Sequence, residues 1–398
     1  MLRSTSHNLK NGIAYCSMVL NRRCLATVTP SKLGFYDMTS DTATEVTDDM
    51  FDIMRSASRK DDVFGNDPSV NELEHYVAKL FGHEASLFCA SGTMTNQLGL
   101  RALLTQPPHS VLCDAQSHIN LYECGGLAYH SQASVTAVTA TNGVYLTADD
   151  VDANRVLEDV HNASTKVIAL ENTLNGAIMP MEEMQRIHTL ARNENIKLHL
   201  DGARIWNASQ ATGIPLADYG QLFDTVSVCV SKGIGAPIGS LIIGSKEMIR
   251  KARHLRKLMG GGWRQAGLLA KIAQHCIDTV IPTMPETHRL TKKLATGLEG
   301  SGIRILLPVD TNMIFIDTAP LPMQELADAL QKKRNILISA EDNGTITRLV
   351  LHHQIDESAV EGFVQVASDL IKEKGISFPT TPSRPKVDVS KAYPSIQH

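Results

Sequence analysis

The chain has 398 residues, a formal net charge of −4, 43% hydrophobic and 20% charged side chains. These are globular proportions, with length enough for two domains and a large core. The slight acidity, without a long basic run, excludes nucleic acid or an anionic membrane as the main partner, and no apolar run approaches the ~20 residues of a membrane-spanning helix.

Residues 1–33 read as a separate leader. Arg3, Lys10, Arg22, Arg23 and Lys32 are basic, the first acidic residue is Asp37, and Leu2, Leu9, Ile13 and Leu20 could line one helical face. That pattern predicts a mitochondrial transit peptide, with a cytosolic extension or a poor secretory signal as competing readings. The cysteines Cys16, Cys24, Cys89, Cys113, Cys124, Cys229 and Cys276 are dispersed, as reduced core thiols are, and show no metal-ligand spacing.

From Asp37 helices alternate with short apolar runs. Residues 110–114, 166–171, 197–201, 225–231 and 240–243 read as buried strands, and 95–104, 181–195 and 246–259 as helices. The alternation predicts an α/β fold whose mostly parallel, doubly wound sheet is covered on both faces. Ligands of such sheets bind beyond the carboxyl ends of the strands. A helix over 264–278 leads to Ile281-Pro282, where the large domain (34–283, including an N-terminal arm) closes. A small C-terminal α/β domain, 284–375, follows, with helices over 285–298, 322–334 and 356–374 and strands at 313–317 and 348–352. Residues 376–398 read as a flexible tail.

Three features carry chemistry. Ser91-Gly92-Thr93-Met94 precedes a helix and offers amide N–H groups, hydroxyls and the positive helix end to a phosphate. Alone it is indistinguishable from an ordinary N-cap. Asp201 ends an apolar strand, where a carboxylate needs a metal, Arg204 or a protonated ring nitrogen. Lys232 ends the next strand and enters Gly233-Ile234-Gly235-Ala236-Pro237, a small-residue turn suited to a Schiff-base lysine. Together they meet the needs of one cofactor, pyridoxal 5'-phosphate: a cradle for its phosphate, a carboxylate for its ring nitrogen and an amine for its aldehyde.

Six motifs then make a specific resemblance. Asp61-Asp62-Val63-Phe64-Gly65-Asn66-Asp67-Pro68, His118-Ile119-Asn120-Leu121-Tyr122-Glu123, Glu171-Asn172-Thr173, His199-Leu200-Asp201-Gly202-Ala203-Arg204, Ser231-Lys232-Gly233 and Gly260-Gly261-Gly262-Trp263-Arg264-Gln265-Ala266-Gly267 resemble the threonine aldolases related to β-eliminating lyases. The resemblance implies an aspartate-aminotransferase-like fold with active sites at a dimer interface, usually within a tetramer. It implies that Gly92 and Thr93 bind the phosphate with Arg264 nearby. It implies that His118 stacks on the cofactor ring and that His161 is a second histidine facing the substrate hydroxyl. Ser40, Arg204 and Arg348 match the group that holds the substrate carboxylate. Thr39, where arginine often precedes the serine, and Leu174, where a histidine often stands, depart from the bacterial pattern; the leucine resembles eukaryotic members.

The implied reaction is cleavage of threonine or allo-threonine to glycine and acetaldehyde. His118, His161, Lys232 or water could be the base. The same scaffold could instead racemise an amino acid such as alanine. A β-lyase expelling a better leaving group fits less well, and Lys232, Asp201 and the cradle, all present, argue against a scaffolding subunit without turnover.

Overall fold

The computed structural model describes residues 34–341 and 344–378; the leader and nearly all of the tail read above lie outside them. The large sheet has seven strands: β1 (Ala85–Cys89), β2 (Ser110–Asp114), β3 (Ser134–Val138), β4 (Thr165–Glu171), β5 (Lys197–Asp201), β6 (Thr225–Cys229) and β7 (Ser240–Gly244). Their spatial order is β1-β7-β6-β5-β4-β2-β3. Only β7 runs against its neighbours; every other pair is parallel.

Central strands such as β6 and β7 are buried on both faces, which is why they read as unbroken apolar runs. The edge strand β3 is largely exposed, and its alternating Ser134-Val135-Thr136-Ala137-Val138 gives no comparable signal. Helices pack on both faces. Pro68–Leu80 starts at Asp67, whose Oδ1 accepts from the amides of Ser69 and Val70 at 2.9 and 3.3 Å, with Pro68 at the first helical position, where its missing N–H does no harm.

Two helix starts differ by three residues from the sequence expectation. The helix after the phosphate turn begins at Gly92, not residue 95, because Ser91 Oγ caps it by accepting from the Met94 amide at 3.2 Å. The helix expected from residue 264 begins at Gly267 and runs to Val280. The strand expected to reach Ser231 stops at Cys229, because Val230 turns back, donating to Gly239 O at 3.1 Å and accepting from the Ala236 amide at 3.0 Å.

That turn is anchored from below. Trp206, 1% exposed, sits edge-on to Phe81 with ring centroids 5.4 Å apart and donates Nε1–H to the Cys229 carbonyl at 2.9 Å. Burying a Trp in this way contributes about 3–5 kcal/mol relative to alanine. Part of that energy fixes the end of the strand that leads to Lys232.

The second core surrounds a small antiparallel sheet, β8 (Arg304–Ile305), β9 (Met313–Asp317) and β10 (Ile346–Val350), in the order β10-β9-β8. Helices Met284–Gly300, Met323–Arg334 and Glu357–Glu373 supply its apolar residues. Residues 36–38, grouped above with the large domain, join this one: Tyr36–Asp37 pairs in parallel with Ile336–Leu337, and Met38 is buried in the second core. No described helix is long and apolar enough to cross a membrane.

Candidate active site

The carboxyl ends of β1, β2, β4, β5 and β6 open on one side of the sheet, and most of the expected site residues lie there. The Gly92 turn follows β1, His118 follows β2, Glu171 ends β4, Asp201 ends β5 and Lys232 follows β6. The Gly92 helix starts hard against the sheet: a Cβ built on Gly92 would stand 2.8 Å from Cys229 Sγ. Only glycine lets the first turn sit so close, with Thr93 half-buried beside it. A phosphate fits this helix start, and an ionised Asp201 opposite fits a protonated ring nitrogen.

Behind Asp201 lies a buried polar network. Asn96, 1% exposed, donates from Nδ2 to Asp201 Oδ2 at 2.7 Å and to Glu123 Oε1 at 2.8 Å. Glu123 Oε2 accepts from Gln97 Nε2 at 2.6 Å, and Glu123 Oε1 also accepts from His118 Nδ1 at 2.9 Å. Asp201 Oδ1 accepts from the Ala203 amide at 3.1 Å. His118, Glu123 and Asp201 bring potential metal-ligand atoms within 4.8 Å of one another, but the Asn96 amide already bridges the two carboxylates and His118 already faces Glu123.

The electrostatics assign charges. Burial first, and the charge of Asp201 second, push the Glu171 carboxyl well above its usual range. The two carboxyls lie side by side, paired across β4 and β5. Burial alone would lower the His118 imidazole, but its bond to Glu123 and the charges of Asp201, Glu123 and Glu171 win, and its pKa rises. Burial takes His199 down to about 4, so it is neutral.

The two arginines expected to bind the substrate carboxylate are held by the arm. Arg204 makes two bonds to the fully buried Asp41, from Nε at 2.8 Å and Nη2 at 2.7 Å. Burial opposes ionisation of Asp41, yet Arg204 above all, then Lys232 and Arg348, hold its carboxyl far below the usual range. Arg348, on β10 and mostly buried, donates from Nη2 to the Thr39 carbonyl at 3.3 Å. Ser40 lies between these partners and its hydroxyl accepts from the Thr42 amide at 3.2 Å. The lysine turn meets the small domain too: a Cβ on Gly235, at φ +87°, would come within 2.6 Å of the His353 ring.

Two expected site residues stand apart from this cluster within the chain. His161 is exposed on the loop before β4, with its amide donating to Asp159 Oδ1 at 2.9 Å. It precedes the amino end of a seven-residue strand whose far end is Glu171, a length of roughly 20 Å. Within one protomer it cannot face a hydroxyl beside His118. Arg264 is exposed and donates from Nη1 to Asp61 Oδ2 at 2.7 Å. Its loop passes Met94, close to Gly261, but the partner of its guanidinium is Asp61 rather than the Gly92–Thr93 turn.

Sequence reading missed Asp41, Asn96 and Glu123 as site residues. The signal for Asn96 was present. Thr95, Asn96 and Gln97 are consecutive polar residues on the first turns of a helix whose next residues, Leu98 and Leu100, are core; buried polar groups in such a place require partners.

Comparison with known proteins places these residues in context. Residues 37–320 match the β-eliminating lyase family. The low-specificity L-threonine aldolase of Eremothecium gossypii is 44% identical over 332 residues, 83% of this chain and 86% of that one. An alanine racemase of Cochliobolus carbonum is 34% identical over 348 residues, 84% of this chain and 87% of its own. Among solved structures, the threonine aldolase of Leishmania major superposes with a TM-score of 0.73 at 22% identity, covering 84% of this chain and 99% of the other.

Proposed function

The chain belongs to the β-eliminating lyase family, and from that premise we propose that it cleaves L-threonine and L-allo-threonine to glycine and acetaldehyde, using pyridoxal 5'-phosphate held on Lys232. The observation that carries this reading is the placement of the Gly92 turn, His118, Asp201 and Lys232 beyond the carboxyl ends of β1, β2, β5 and β6 on one side of the sheet, in a chain 44% identical to a threonine aldolase.

When bound, the cofactor supplies a sink for the electron pair released from the Cα–Cβ bond. The rest is the work of the protein. Gly92 and Thr93 would hold the phosphate at the helix start, Asp201 the ring nitrogen and its proton, and Lys232 the aldehyde carbon. Arg348 and Ser40 would grip the substrate carboxylate and so fix which bond at Cα points out of the ring plane. Arg204, held by Asp41, would orient that group, with only part of its guanidinium directed elsewhere. His118 keeps its Nδ1 proton toward Glu123, which is an acceptor only. Its Nε2 is then the atom able to take the β-hydroxyl proton as the aldehyde departs.

We further propose a homo-oligomer, a tetramer built from dimers, and a role in threonine catabolism and glycine formation in mitochondria. The resemblance and the basic leader support this.

Acetaldehyde release from both threonine isomers by the purified holoenzyme, abolished in Lys232→Ala, tests the reading. Rapid alanine racemisation with no acetaldehyde from either isomer would overturn it in favour of the racemase, a reading to which the Cochliobolus relative lends its name.

A further inference from the structure

We propose that Asn96 is a positioning residue for this reaction: its side-chain amide locks Asp201 and Glu123 in place and thereby ties the ring-nitrogen carboxylate to the stacking face of His118. The inference rests on the cofactor reading above.

The geometry leaves the amide no freedom. Its Nδ2 hydrogens point to Asp201 Oδ2 and Glu123 Oε1, at 2.7 and 2.8 Å. Its Oδ1 lies 3.1 Å from His199 Nε2, while His199 Nδ1 lies 2.9 Å from Thr225 Oγ1. Both carboxylates are acceptors only, so the amide must present its NH2 to them and its oxygen to His199. His199 then carries its proton on Nε2 and accepts the Thr225 hydroxyl at Nδ1. Each step of the chain Thr225, His199, Asn96, Asp201 has one consistent donor direction.

Two consequences follow for the cofactor. Asp201 has one oxygen bonded to Asn96 and the other to the Ala203 amide, so its carboxylate plane, and hence the direction in which it meets a ring nitrogen, is fixed. Glu123 Oε1 shares its lone pairs between Asn96 and His118 Nδ1. A tilt of His118 is therefore passed to Asp201 through one amide, alongside the direct electrostatic effect of Asp201 on the imidazole.

The amide also keeps two buried carboxylates apart. Glu123 and Asp201 are 4% exposed each, and the amide gives each buried carboxylate a donor in place of water. A bystander that only filled space would fix neither charge nor direction.

The test uses holoenzyme of Asn96→Leu, nearly the same shape without polar atoms, and Asn96→Ser, which is small enough to fold if the leucine variant does not. The pH titration of the visible absorbance of the lysine-bound cofactor is followed alongside kcat and KM for L-allo-threonine. The expected result is a displaced titration midpoint in both variants, with kcat lowered about 10–100-fold and KM within about threefold of wild type. In a Glu123→Gln background the displacement should shrink, because the other end of the coupling is already cut. An unmoved midpoint, or effects of the two changes that simply add, would overturn the assignment. The absorbance arm needs only bound cofactor, so it stands even if threonine is not the substrate. A wild-type protein with no borohydride-reducible cofactor at Lys232 would sink the cofactor reading instead.

Discussion

Asp41 and Arg204, 163 residues apart in sequence, meet through two parallel hydrogen bonds of 2.8 and 2.7 Å. Bidentate geometry of this kind fixes a guanidinium in orientation as well as position. Two residues earlier, the Thr39 carbonyl takes Arg348. The short arm segment therefore holds both arginines by consecutive contacts, one with a side chain and one with the backbone.

Asp41→Asn should therefore raise KM for threonine about tenfold or more while leaving cofactor retention near wild type, since the phosphate anchor is elsewhere. Removing one partner of a buried ion pair costs about 3–5 kcal/mol, and thermal melting should register that loss. The carboxyl is held below its usual pKa, so its stabilisation is complete above the ordinary carboxyl range and fades only as pH falls through the depressed value. An unchanged KM would mean that the arm is structural only.

Asp201→Asn should reduce turnover far more than cofactor binding. An amide can still meet a ring nitrogen, but it cannot stabilise a proton there. Its NH2 would also confront the Asn96 NH2, so one of the two amides must turn. Equal losses of affinity and rate would identify Asp201 as a structural partner.

The raised pKa of His118 sets the acid limb of the rate profile. Burial depresses it, but Glu123, Asp201 and Glu171 together raise it, and Nε2 accepts a proton only once the ring is neutral. Activity should rise with pH through that value, whereas the His118–Glu123 ion pair stabilises the fold below the ordinary histidine pKa and is lost as pH climbs through the raised one. Glu123→Gln removes the main raising bond and should move the acid limb to lower pH. A limb that stays in place would exclude His118 as the base.

His161 can act only on a neighbouring protomer's site. It lies on an exposed loop with Leu157 and Val160, which are 60% and 93% exposed, as residues of an oligomer contact would be when seen in one chain. Mixed oligomers of Lys232→Ala and His161→Ala chains should then show more activity per intact site than the His161→Ala oligomer, because each such site borrows its partner's His161. Absence of recovery in verified hybrids would remove His161 from the mechanism.

The leader makes a prediction of its own: residues 1–33 fused to a reporter should carry it into mitochondria. Cytosolic retention of the fusion would dispose of the proposed address.

Much of the sheet was legible because β2, β4 and β5 are buried apolar runs whose last residues are polar, and those polar ends mark the site. Lys232 and Asp201 were visible for the same reason. The edge strand β3 was not, because its exposed half carries no burial signal. A residue count back from Glu171 did not say that His161 lies at the other end of β4, apart from His118 of the same chain. Asp41 and Asn96 escaped because their meaning comes from partners remote in sequence: Arg204 for one, Glu123 and Asp201 for the other.

The pairing of Tyr36–Asp37 with Ile336–Leu337 has a mechanical consequence. The two cores are spanned twice, once by helix Met284–Gly300 and once by the arm that leaves the small sheet at Met38 and reaches Arg204 at Asp41. The second crossing carries the anchors of both arginines, the Thr39 carbonyl for Arg348 of the small sheet and the Asp41 carboxylate for Arg204 beyond β5, so three residues of the arm fix the spacing of two cations that belong to different cores.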